Sequence, residues 1–202
     1  MKRLMMIPLM MFVMGSECER NRLNDMDKGF IVENGTSLIP MVLPWEVIGN
    51  LTIEHPDVFY EVLDDMNEWF FPTVVFSGGI DSERFDEVDG NDPNERNGII
   101  LVWVGALPDP DWDEPGPGGI ADLTWNDAGE ILRADVVIDA EHSYDSGIFR
   151  ARLIHELGHC LGLTHDVVSV DLDSCMASPP LTTCSITERD VERVRQDYPR
   201  SL

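Results

Sequence analysis

Val58, Phe59, Val62, Leu63, Met66, Trp69 and Phe70 recur every three to four positions, the spacing of an amphipathic helix that buries one stripe. Pro56 suits its first turn and Pro72 closes it. Five other runs read as strands. Residues 40–48 (PMVLPWEVI) are apolar, with Pro44 confining them to an edge or a kinked start. Residues 72–76 (PTVVF) and 98–104 (GIILVWV) are short, β-branched and bounded by glycine or charge, which suits buried central strands. Residues 119–125 and 131–138 are joined by Asn126, Asp127, Ala128 and Gly129, a hairpin turn, so one of this pair runs antiparallel to the rest. A second helix begins near Ile148 and carries Leu153, Ile154, Leu157 and Leu161 on one face. Thr187, with Asp190 three residues on, has the chemistry of a helix start, followed by Val191, Val194 and Tyr198. The pattern predicts an α+β fold: a five-stranded mixed twisted sheet with an antiparallel edge strand, a helix after the fifth strand, and a small C-terminal part ending in a helix.

The start of the chain follows other rules. Lys2 and Arg3 precede an apolar run over 4–14, and Gly15 and Ser16 follow, the layout of a secretory signal peptide over 1–16. Cys18 raises lipid anchoring, but Glu17 before it is a poor fit to a lipobox, so a secreted chain is expected. Residues 17–38 are polar and patternless and read as a leader or short pro-segment, leaving 39–202 as one domain. Beyond the first run no apolar stretch is long enough for stable membrane insertion. The formal net charge of −24 argues against nucleic acid or anionic membrane as partners. The acidic loops 81–97 and 109–118 could hold Ca2+ through clustered oxygens, although neither has EF-hand spacing. A monomer is expected.

The chemistry is concentrated in 155–166 (HELGHCLGLTHD). His155 and His159 are four apart, so on a helix they share a face and can grip one metal ion. Glu156 falls beside the metal without occupying a ligand position, where it can take a proton from a metal-bound water. Gly158 allows close backbone approach, and Gly162 can adopt the left-handed conformation that ends a helix sharply and swings His165 back as a third ligand. Three neutral nitrogens leave one tetrahedral position open, the arrangement of a catalytic Zn2+ site. With no further His grouped elsewhere, a second all-His site is not expected; His55 precedes a helix start and His142 has few partners.

At these residues, HExxHxxGxxH, the chain resembles the metzincin zinc peptidases, whose long motif is followed by a methionine-containing turn under the metal. Met176 matches that turn. In size and element order the resemblance is closest to matrixin-like domains, while Asp166 after the third His and Cys175 before the Met look more like the reprolysin branch. Ser178 stands where the astacin and serralysin pattern has Tyr. The resemblance implies a zincin-like fold and a secreted zinc endopeptidase with Glu156 as general base and a protein or peptide substrate. Asp166 is offered as a group behind the ligands or anchoring the loop. Gly119, Ile120, Ala121 and Asp122 would line the edge strand along which an extended peptide adds, and Ser178, Pro179 and Leu181, in the segment 177–181, would wall a pocket of apolar preference just after the cut.

Two other functions fit the same residues less well. One is a non-catalytic zinc-binding adhesion or interaction module, against which Glu156 speaks; the other is a zinc hydrolase of a non-peptide amide, against which Met176 speaks. Four cysteines in an exported chain favour disulfides. Cys175 and Cys184 are close in sequence on either side of a returning loop and are the expected pair, with Cys160 bonded to either of them as the rival.

Overall fold

The computed structural model describes residues 32–33, 36–37, 39–40, 44–71, 74–90, 96–107, 118–140, 145–165, 174–177 and 184–197. The signal segment 1–16, Cys18, His142, Asp166, Ser178, Pro179, Leu181 and Tyr198 lie outside them, as does all of the acidic loop 109–118 except Gly118. In chain order the elements are β1 (Val32–Glu33), β2 (Thr36–Ser37), β3 (Ile39–Pro40), β4 (Trp45–Gly49), α1 (Pro56–Phe70), β5 (Phe76–Ile80), α2 (Ser82–Asp89), β6 (Ile99–Gly105), β7 (Gly119–Trp125), β8 (Glu130–Asp139), α3 (Ser146–Cys160) and α4 (Glu188–Asp197).

The fold is α+β around a mixed sheet of five strands in the order β5, β4, β6, β8, β7, to which the two-residue β3 adds at the start of β8. Pairings between β5, β4, β6 and β8 are parallel. The β7–β8 hairpin is antiparallel and aligns Ala121 with Val136, so the hairpin turn carries the chain to an edge as expected. The four residues from Ile99 to Val102 are all buried because both faces of the sheet are covered. On one face Trp45, Val47, Ile100, Val102, Val136 and Ile138 pack against Phe59, Val62 and Met66 of α1 and Phe149, Leu153 and Leu157 of α3. On the other, Ile48, Ile99 and Leu101 meet Phe85 and Val88 of α2. Each such side chain, fully buried, contributes roughly 1.5–3 kcal/mol of transfer free energy. Among the described residues no helix is long and apolar enough to cross a membrane.

Four expectations need correction. The strand expected over 72–76 is β5, four residues later: the Val74 N–H is spent on the Phe70 carbonyl, completing α1, and the Asn67 amide then bonds both backbone groups of Phe76, at 2.6 and 2.8 Å. The loop read over 81–97 contains α2, started by the Asp81 carboxylate accepting from Arg84 N–H at 2.9 Å. Trp69 stays 41 % exposed although it shares the helical stripe. The patternless stretch 17–38 contains the β1–β2 pairing, too short for any periodicity to register.

Candidate metal centre

α3 begins at an Asp145 cap, which accepts from Gly147 and Ile148 N–H at 2.9 and 3.0 Å, two residues before the expected start. It ends in a Schellman turn. Gly162 at φ 82° donates to His159 O, and Leu163 N–H reaches back to Gly158 O at 3.1 Å. Only the left-handed conformation closes this turn, and it returns the chain so that His165 faces the helix it has just left. The Nε2 atoms of His155, His159 and His165 converge, 3.0 to 3.1 Å apart.

The opposite ring nitrogens explain what that convergence is for. His155 Nδ1 donates to the Cys175 carbonyl at 2.5 Å and His159 Nδ1 donates to the Leu163 carbonyl at 2.8 Å. A carbonyl can only accept, so these neutral rings carry their protons on Nδ1 and turn lone pairs toward each other. Lone pairs at that separation repel, whereas a cation between them is bound by both. Nitrogens about 2.0–2.1 Å from a tetrahedral ion stand roughly 3.3 Å apart, within a few tenths of an ångström of this spacing. Burial, helped by the neighbouring His165 and Arg152 charges, lowers the His155 pKa to about 3, so it is held in the neutral form a ligand requires. The three histidines are therefore a group that can hold a metal ion, and imidazole donors suit zinc, copper, iron or nickel.

A chain of contacts holds this arrangement from beneath. Met176 packs under α3 where Gly158 leaves room, since a Cβ there would overlap the Met176 sulfur. The Met176 N–H donates to Ser174 Oγ at 3.0 Å, and Ser174 Oγ donates to Asp190 Oδ2 at 3.0 Å. Asp190 is buried and also takes the Thr187 N–H and hydroxyl, both at 2.9 Å. The capping chemistry read as a helix start thus also anchors the methionine turn. A Cys175–Cys184 disulfide and a Cys175 N–H bond to Ser185 O close the loop, and Cys160 is a buried free thiol.

Glu156 is buried on the β7 side of α3. Its Oε1 presses on Gly119, where a Cβ would stand only 2.8 Å away, and its carboxylate accepts from the Ala121 backbone. Burial pushes its pKa up to about 8, against the opposing pull of Arg152 and the Ala121 bond. Gly119 and Ala121 thus meet the site, whereas Asp122 faces Asp135 across the hairpin and joins Arg133 instead. The outer edge of β7 pairs with no strand among the described residues. Sequence reasoning missed Ser174 and Asp190, and the Arg152 charge beside His155 and Glu156. Only the Thr187-to-Asp190 spacing carried a signal, and it pointed to a cap, not to the metal. No known protein-family model matches the chain, and no curated protein matches it.

Proposed function

We propose that the chain is a secreted, zinc-dependent endopeptidase of metzincin type that hydrolyses peptide bonds with Glu156 as the proton carrier. The observation that carries this reading is the convergence of three ligand-ready imidazoles beside a buried carboxylate, next to the β7 strand whose outer edge pairs with no strand among the described residues. His155, His159 and His165 would hold the ion. When bound, zinc supplies Lewis acidity and lowers the pKa of water by several units.

The chain's own residues do the rest. An extended peptide adds along β7 through main-chain hydrogen bonds, which orients the scissile bond across the histidines. The Ala121 N–H holds the Glu156 carboxylate in place. The Glu156 carboxyl, its pKa pushed up to about 8 by burial, is one group that can both accept a proton and return it to the leaving amine. The Cys175–Cys184 disulfide supports an oxidising, extracellular setting.

The test compares variants by elemental analysis and turnover together. Glu156→Ala is expected to keep about one zinc per chain and lose about 10^2 to 10^4 in rate. His155→Ala, His159→Ala and His165→Ala are expected to lose both. Near-normal turnover in Glu156→Ala would remove it from the mechanism, and full metal occupancy in a histidine variant would remove that ligand.

A further inference from the structure

Arg152 stands on α3 one turn before Glu156. The chain holds 38 acidic against 14 basic residues, so a guanidinium has carboxylates in plenty to pair with. Arg84, Arg96 and Arg150 do so, with Glu46, Asp135 and Asp65. Among the described residues Arg152 makes no such ion pair, and its Nε and Nη1 are buried without a hydrogen-bond partner, while the residue as a whole is half-buried. Burial lowers its pKa, against Glu156 and Asp139, which raise it. Because the residue is only half-buried, an anion that reaches the rest of the guanidinium gains more there than at one already paired in water.

Its position says where that anion would be. The guanidinium lies against the backbone at Gly118, where a Cβ would overlap it, and Glu156 lies against Gly119 in the same manner. The two glycines at the head of β7 are thus each covered by a side chain from successive turns of α3. Arg152 therefore stands one helical turn from Glu156, at the same end of β7 as the carboxylate that serves the bond to be cut.

We propose that Arg152 forms an anion-recognising subsite, so that the peptides taken by this site present a carboxylate next to the scissile bond. The carboxylate is an Asp or Glu side chain or the free C-terminus of a short peptide, and the planar guanidinium suits either. This rests on the endopeptidase reading for its substrate class. The acidic preference lies on the Arg152 side and stands beside the apolar preference expected from 177–181.

The experiment measures binding and cleavage separately on the full chain. Binding of fluorescent peptides under chelation is read by anisotropy, with Asp or Asn scanned through a C-terminally amidated peptide and the same Asn peptides carrying a free carboxylate. The charged member of one pair is expected to bind about tenfold more tightly than its neutral counterpart, as one charge-assisted bond gives. The pair that shows the difference tells an acidic side chain from a C-terminus. Arg152→Gln should abolish the difference, Arg152→Lys should keep part of it, and Arg152→Glu should turn it toward peptides with Lys at that position. A residue that only supports Glu156 would lower turnover on all peptides alike and shift no preference. Equal binding of charged and neutral peptides by the wild-type chain, or a preference that survives in Arg152→Gln, overturns the subsite. Cleavage of the same peptides with zinc restored distinguishes the two claims: Arg152-dependent binding without cleavage supports the subsite and sinks the peptidase, and cleavage indifferent to charge sinks the subsite alone.

Discussion

A methyl group added at Gly158 has two opposite expected effects. In an ordinary helix interior, alanine is about 1 kcal/mol better than glycine. Here the new Cβ would overlap the sulfur of Met176, which is buried at 2 % exposure, and overpacking of this kind costs about 1–3 kcal/mol. Gly158→Ala is therefore expected to lower the denaturant midpoint of the metal-free chain. A raised midpoint would mean that Met176 is not wedged under the helix. At this scale the sequence was most legible where chemistry dictates residue type. The three histidines, Glu156 and Gly162 stand at the spacings that a ligand face and a left-handed turn require. Arg152 was not legible, because an arginine on a helix ordinarily reads as part of a solvated face, and the burial of its Nε and Nη1 without a partner among the described residues is a property of the folded neighbourhood alone.

The turn over 174–177 is held by α4 rather than by its own sequence. Asp190 Oδ2 accepts from Ser174 and twice from Thr187, so Asp190→Ala strands buried donors at a cost of about 1–3 kcal/mol each. The same change loosens the Cys175 carbonyl that orients His155, and such outer partners typically contribute about 10- to 100-fold to metal affinity. A zinc titration by competition with a chromophoric chelator checks this; unchanged affinity in Asp190→Ala would separate the turn from the metal. Replacing Cys175 and Cys184 by serine should cost about 2–3 kcal/mol on the chain-entropy estimate for so short a loop. Among the elements, α1 and α3 were readable because each is long enough to show its period, and β6, β7 and β8 because an apolar run and a hairpin turn mark them. The start of β5 was not, since the β-branched Val74 and Val75 leave α1 while Gly78 and Gly79, which read as strand breakers, are in the strand. α2 was hidden by its acidic composition, although Asp81 before Phe85 and Val88 is a capped, half-apolar turn.

Across the whole molecule, the sheet order could not be read from periods, because pairing between distant strands depends on which faces the helices cover. That order sets Asp122 of β7 opposite Asp135 of β8. Burial raises both carboxyls, with Asp135 adding to the rise at Asp122, while Arg133 at Asp122, and Arg96 and Arg133 at Asp135, pull back. Because the folded chain holds these protons more tightly than the unfolded chain, their contribution to stability is complete below the ordinary carboxylate pKa and is lost as pH rises through the raised values. Asp122→Asn removes one of the two. It is expected to gain stability over the wild type as pH rises above the ordinary carboxylate range. A difference between the two that does not change with pH would contradict the sign.

The most direct measurement of what this molecule does is mass spectrometry of a mixed peptide library incubated with the zinc-loaded chain. Internal cuts that appear with zinc, vanish on chelation and are absent with Glu156→Ala are the predicted result, since all three require the His155, His159, His165 and Glu156 constellation to act as one site. A chain that holds one zinc at those histidines and leaves every peptide intact would contradict it and leave a metal-binding interaction module in its place.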